Sequence, residues 1–250
     1  MPLLEGAEPI VIEGNSTGIL LVHGFTGSPQ GMRPWAEYAA EAGYTISVPR
    51  LPGHGTTKAE CNRTTWEDWY AEVARAFDAL RVSCDQVFVF GFSMGGTLTL
   101  RLAEERGDEI AGIVLLNPSV FTTRPDRHLL PFLSKVVPVW PGISNDIKKP
   151  DGEREIAYDK IPLKAAYSLS QLWALVKPEL GRINQPVLVF TSVDDHVVEP
   201  ENSEYILEHV NSLDRHQELL PDSYHVATLD NDAARVFADS LAFVERLSER

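Results

Sequence analysis

One pentapeptide concentrates the chemistry of this chain: Gly91-Phe92-Ser93-Met94-Gly95, a G-x-S-x-G. A serine hydroxyl is a weak nucleophile until a base takes its proton and a third group orients that base. The partners to look for are a histidine and a carboxylate that follow Ser93 and lie at strand ends. Of the seven histidines, His225 stands in Asp222-Ser223-Tyr224-His225-Val226, beyond the last apolar run, and is the expected base. His128, His209 and His216 are expected on the surface, His196 at a rim, and His23 and His54 as shapers of tight Gly loops. For the acid, Asp194 and Asp195 are neighbours and point in different directions, so only one can meet His225. The run Asp195-His196-Val197-Val198-Glu199-Pro200 favours Asp195, with Asp194 as the alternative. Acyl transfer also needs N–H donors where the oxyanion develops. The main-chain N–H of Met94, just after the nucleophile, is one candidate. The N–H of Phe25 in His23-Gly24-Phe25 is the other.

These groups work only if the surrounding elements present them. Val87–Phe90 is an apolar, β-branched and aromatic run that reads as a buried strand. Leu98, Leu102 and Ala103 then fall at helical spacing. A strand that becomes a helix within a few residues strains the residue between them and lifts Ser93 to the tip. Gly91 and Gly95 spare the turn a Cβ on either side, with Gly96 behind. Further strands are expected over 10–12, 18–22, 44–48, 110–116, 186–191 and 216–220. Helices are expected over 32–42, 66–80, 163–176, 201–210 and 232–247. Strands that are apolar throughout and alternate with helices indicate an α/β fold, a mostly parallel sheet covered on both faces. The alternation breaks over 119–182, which is rich in proline. Its clear amphipathic helix carries Leu163, Ala166, Leu169, Trp173 and Val176 on one face. We read a core of residues 1–118 and 183–250, with 119–182 inserted as a cap.

The composition excludes several function classes. At 250 residues and 44% hydrophobic content the chain is one globular domain plus its insertion. A formal charge of −14 argues against nucleic acid and against a polybasic grip on anionic lipid. No apolar run approaches the roughly 20 residues of a transmembrane helix. The opening MPLLEGAEPI lacks the pattern of a secretory signal. Cys61 and Cys84 form no C-x-x-C, and reduced thiols in a cytoplasmic setting are expected. No cluster has metal-ligand spacing, so neither metal nor cofactor is expected.

In element order and motif order, from Gly18 to the closing helix, the chain resembles the α/β-hydrolase family. Within it, HGFTGSP (23–29), LPGHG (51–55), GFSMGG (91–96), DDHVVEP (194–200) and SYHVATLDND (223–232) resemble the bacterial carboxylesterase and monoacylglycerol lipase group. The resemblance implies a Ser93, Asp195, His225 triad, Phe25 and Met94 as oxyanion donors, and hydrolysis of a monoacylglycerol to fatty acid and glycerol. It also implies a cap glutamate at the glycerol end, matched by Glu155 with Glu153 as the neighbouring register, and an apolar cap residue matched by Ile143. An acyl chain needs a dry tunnel, for which the insertion offers Val136, Val137, Val139, Trp140, Ile143, Leu169, Leu172 and Leu175. The expected partner is a small lipid ester, with transient contact at a lipid surface; the oligomeric state is open. Alternatives on the same residues are a broader carboxylesterase for short- to medium-chain esters, a C–C bond hydrolase, or a ligand receptor without catalysis. A haloalkane dehalogenase is disfavoured, since that chemistry needs a carboxylate where Ser93 stands.

Overall fold

A computed structural model describes residues 3–248; the two residues at each end of the assigned core, and the first two of the MPLLEGAEPI stretch, lie outside them. The strands are β1 (Ile10–Ile12), β2 (Thr17–Val22), β3 (Thr45–Val48), β4 (Gln86–Phe92), β5 (Gly112–Leu116), β6 (Val139–Pro141), β7 (Lys160–Pro162), β8 (Val187–Ser192) and β9 (Arg215–Leu220). The helices are α1 (Arg33–Glu41), α2 (Lys58–Cys61), α3 (Trp66–Ser83), α4 (Met94–Arg106), α5 (Leu130–Val136), α6 (Leu163–Val176), α7 (Glu201–His209) and α8 (Ala233–Ser248).

Seven strands form one sheet in the order β1-β3-β2-β4-β5-β8-β9. All neighbours run parallel except β1, which pairs antiparallel with β3. The central strands β2, β4, β5 and β8 are mostly apolar and buried along almost their whole length, because both faces are covered. In β2, Leu20 and Val22 pack with Trp69, Phe77 and Leu98 of α3 and α4, while Ile19 and Leu21 pack with Trp35 of α1 and Val236 of α8. α3 starts at Trp66, where the expected helix begins, and its first turn is capped, the Thr65 N–H donating to the Asp68 carboxylate at 2.9 Å.

The order reverses at β2: β3 lies on one side of it and β4 on the other. Their register pairs Val22 with Gly91, so the loop after β2 emerges beside the Ser93 turn. In open α/β sheets such a switch point at the carboxyl ends of the strands is where ligands bind.

Between β5 and β8 the chain leaves the sheet. α6 occupies the span expected for it and packs on α3 and α4. Its buried residues include Leu163, Leu169 and Val176 but also Ala165, Ser168 and Leu172, whereas Ala166 and Trp173 turn toward a cavity. The sequence reading placed no strand in this segment, yet β6 and β7 pair antiparallel over three residues each. Such short pieces, ending in Pro141 and Pro162, carry too little periodicity to be read. The same holds for α2 and α5, of four and seven residues.

Candidate active site

The site starts from the backbone of Ser93, held at φ 54° and ψ −117° between β4 and α4. That strain persists because the surroundings over-determine it. A Cβ on Gly95 would lie 2.0 Å from the Val22 carbonyl oxygen, and one on Gly91 would lie 2.5 Å from the carbonyl oxygen of Gly95. Glycine is therefore required on both sides of the turn. The Ser93 N–H is anchored to the Leu116 carbonyl of β5 at 2.9 Å.

His225, in the loop after β9, brings Nε2 to 3.0 Å from the Ser93 Oγ. Its Nδ1 lies 2.7 Å from the Asp195 Oδ2, in the loop after β8. An imidazole that donates from Nδ1 leaves Nε2 free to accept the serine proton. Both side chains are buried, whereas Asp194 is exposed and pairs with the rim residue His196, at 3.5 Å. The other Asp195 oxygen accepts the N–H groups of Val197 and Val198, each at 2.8 Å, which fixes the carboxylate plane. Burial works to lower the His225 pKa, but the carboxylates of Asp195, Glu155 and Asp146 outweigh it and hold the imidazole above its ordinary value.

On the other side of Ser93 stands the loop after β2. Thr26 has φ 65°, an unusual value for a β-branched residue, and turns the chain just after Phe25. Gly24, Phe25 and Ser93 line one cavity together. Met94 is the first residue of α4, so its N–H belongs to a helix end without intrahelical acceptors. The two loop histidines behave as their surroundings dictate. His23 Nε2 accepts the Leu51 N–H at 3.1 Å, which leaves Nδ1 to donate to the Gly24 carbonyl at 2.9 Å. His54 Nδ1 lies 3.1 Å from the Pro52 carbonyl. Burial depresses both, to about 4 and about 3, so both are neutral.

The cavity encloses about 920 Å³ over Ser93 and His225. Leu129, Leu130 and Leu133 of the α5 region and Leu163, Leu169 and Trp173 of α6 supply apolar lining. Of the apolar residues expected there, Trp140, Ile143 and Leu169 are present. Leu172 packs in the core beneath, Val136 points to solvent, and Val137, Val139 and Leu175 do not reach the lining. A single helix turn separates lining from core, a distinction invisible to hydrophobicity alone.

Part of the polar lining comes from the strand-poor stretch between β6 and β7, where Asn145, Asp146 and Glu155 face the cavity; Thr122, Arg124 and Lys177 add to it from elsewhere. Of the two glutamates weighed from the sequence, Glu155 lines the cavity. Its carboxylate reaches to within 2.5 Å of where a Gly27 Cβ would stand, while Glu153 lies outside and accepts from Gln30 Nε2 at 2.7 Å. Desolvation, opposed by the nearby imidazole of His225, lifts the Glu155 carboxyl to about 7.

Several residues that hold this arrangement escaped the sequence reading. Asn117, at φ 44°, donates to the His225 carbonyl at 2.8 Å and accepts the Ser192 N–H at 2.7 Å. Asn202 accepts the N–H groups of Val120 and Phe121 at 2.7 and 2.9 Å. Asp230 accepts those of Lys148, Lys149 and Tyr224 at 2.7, 2.9 and 2.9 Å. Asp146 spans two loops at once. Only Asp230 fell in a motif noted from the sequence; the others bind main-chain groups, which leave no pattern in side-chain types. Among the described residues no group of three or more His, Cys, Asp or Glu is placed to hold a metal ion, and Cys61 and Cys84 are buried free thiols.

The chain is similar to several known proteins. The family model described as serine aminopeptidase, S33, matches residues 15–232. The chain is 44% identical over 248 residues to a thermostable monoacylglycerol lipase of Bacillus sp. (strain H-257), covering 97% of this chain and 96% of that protein. It is 28% identical to a carboxylesterase of Bacillus subtilis (strain 168), over 96% and 97% of the two chains. Among solved structures, one from work on the metagenome-derived lipolytic enzymes LipS and LipT superposes with a TM-score of 0.95 at 42% identity, covering 98% of this chain and 100% of that one.

Proposed function

This chain belongs to the serine aminopeptidase S33 family of α/β-hydrolases, and from that premise we propose that it is a serine ester hydrolase that cleaves monoacylglycerols to fatty acid and glycerol. The observation that carries the reading is the chain of contacts from Asp195 through His225 to Ser93, 2.7 and 3.0 Å, opening into a largely apolar cavity that the half-buried carboxylate of Glu155 faces.

Ser93 Oγ attacks the ester carbonyl as His225 Nε2 takes its proton. Negative charge builds on the carbonyl oxygen, toward the N–H groups of Met94 and Phe25. Asp195 holds the imidazole tautomer and stabilises the imidazolium. The imidazolium then protonates the departing glycerol, leaving an acyl-enzyme. Water, deprotonated by His225, resolves the ester and releases the fatty acid. Residues 119–182 act as a cap over the core of residues 1–118 and 183–250. Its leucines and Trp173 dehydrate the acyl chain. Ile143 shapes the wall, and Glu155 accepts hydrogen bonds from the glycerol hydroxyls. A polar group fixed at one point of a dry cavity discriminates strongly against substrates that leave it unpaired.

A second reading, a broader carboxylesterase, is supported by the size of the cavity, about 920 Å³. Initial rates on 1-lauroylglycerol and dilauroylglycerol at matched concentration separate the two. Strong preference for the monoacyl substrate is expected, and comparable rates would favour the broader enzyme. Ser93→Ala is expected to cut kcat by roughly 10⁴–10⁶, and near-wild-type turnover in that variant would remove the nucleophile assignment.

A further inference from the structure

Asp146 stands in the insertion, outside the sheet and far in sequence from both loops it touches. Its carboxylate is almost wholly buried, with 9% of the side chain accessible. Oδ2 accepts the main-chain N–H of His225 and the main-chain N–H of His196, each at 3.2 Å. Oδ1 lies 2.8 Å from the His196 Nδ1. The Asp146 carbonyl oxygen accepts the N–H of Val226 at 3.0 Å. One residue thus binds the peptide of the base, the peptide after it, and the residue that follows Asp195.

We propose that Asp146 is a positioning residue for the triad: by holding the amides of His225 and His196 on one oxygen, it sets the separation of the base from the loop that carries the acid.

The geometry explains why such a device is needed. His225 sits in an irregular loop, without the ladder of a strand or helix to locate its Cα. From the sheet side, Asn117 Nδ2 holds the His225 carbonyl at 2.8 Å. From the insertion side, Asp146 holds its N–H. With both ends of the residue gripped, the side chain reaches Ser93 and Asp195 without searching. Loss of one grip lets the peptide tilt, and a displacement of about 1 Å at a reacting atom can cost roughly 10²-fold in rate. The preceding residue is held likewise: Asn145, at φ 55°, accepts the Glu155 N–H on Oδ1 at 2.6 Å. Two consecutive residues therefore tie the polar end of the cavity to the triad.

The charge matters as well as the bonds. Asp195 and His196 face His225 from the loop after β8, Asp146 and Glu155 from the insertion, and Ser93 from the nucleophile turn. Asp194 approaches His196 from the solvent side, the Tyr224 ring packs against the His196 imidazole at 4.6 Å, and Lys148 sits over Tyr224 at 5.7 Å. Asp146 adds to the carboxylates that stabilise the His225 imidazolium. Its removal is expected to lower the pH at which the base is lost to protonation.

The proposal rests on the triad reading, and its test separates the two. Full-length Asp146→Ala and Asp146→Asn are assayed on 1-lauroylglycerol from pH 5 to 9. The His225 Nδ1 proton is followed by NMR over the same range, a measurement that needs no turnover. In D146A, kcat is expected to fall about 10- to 100-fold with KM changed less than threefold. The near-isosteric D146N keeps an acceptor for both amides. It should retain most of its kcat at pH 8, while the acid limb of kcat/KM and the NMR titration both move to lower pH by roughly half a unit. A kcat within threefold of wild type in D146A would overturn the proposal, as would a D146N titration that superposes on wild type. If D146A does not fold, Asp146→Leu, close in volume and without an acceptor for either amide, is assayed in its place against the same limits. Loss of the triad reading shows differently: Ser93→Ala would keep its activity.

Discussion

Glu155→Gln separates stability from function at one atom. Desolvation raises the Glu155 carboxyl from 4.5 to about 7, against the attraction of His225. At about 1.36 kcal/mol per pH unit the gap corresponds to about 3 kcal/mol, and cavity water screens it to about 2 kcal/mol. The sign follows from linkage. Below pH 4.5 the carboxyl is protonated in folded and unfolded chains alike. Above about 7 it is ionised in both, and the folded state bears the cost of a desolvated charge. The wild type therefore loses this stability as pH rises from 4.5 through 7, and glutamine, always neutral, does not. Calorimetric melts at pH 4.5 and pH 8 should show E155Q with little advantage at the lower pH. At pH 8 its Tm should be higher by about 4–8 °C, on the scale of a chain this size. The same variant should lose about tenfold in kcat/KM on 1-lauroylglycerol, the scale of a hydrogen bond to a charged acceptor. On methyl laurate, which has no glycerol, the loss should be under threefold. An equal Tm difference at both pH values would refute the buried-charge account. Equal losses on both esters would refute the glycerol contact.

Asp195→Asn should lower kcat by about 10⁴, and Asp194→Asn by less than threefold; the reverse order in steady-state assays would reassign the acid. Gly95→Ala should cost more than about 3 kcal/mol, because its Cβ would stand 2.0 Å from the Val22 oxygen, and an unchanged urea midpoint would contradict the tight turn. His54, neutral in the fold down to about pH 3, takes up its proton only on unfolding as pH falls below 6.5. His54→Gln should therefore make the rise of stability with pH shallower by about one proton between pH 4.5 and 6, read from urea melts; an unchanged slope would mean that His54 is charged in the folded state.

The meeting of Ser93, His225 and Asp195 was legible because each sits where a strand ends, and strands announce themselves by continuous apolar runs. Ser93 also carries a local signature, the paired glycines that its turn demands. The choice between Asp194 and Asp195 rested on spacing and fell on the residue that meets His225 at 2.7 Å. That Glu155 and Ile143 face the cavity came into view only through resemblance, since nothing in local pattern marks a carboxylate that faces a cavity.

The sequence by itself determined the layered α/β architecture, the order of the main strands and helices of the core, and the residues at the strand ends. These depend on local periodicity and on steric limits that act within a few residues. Tertiary structure alone decided which face of α6 lines the cavity, which cap leucines reach it, and that Glu155 and not Glu153 enters. It alone brought Asp146, Asn117 and Asp230 to the amides and carbonyls of the His225 loop. The physical reason is that a carboxylate or amide holding main-chain groups needs only a distance and an angle. Any loop can meet that requirement from anywhere in the chain, so it leaves no periodic trace in the sequence.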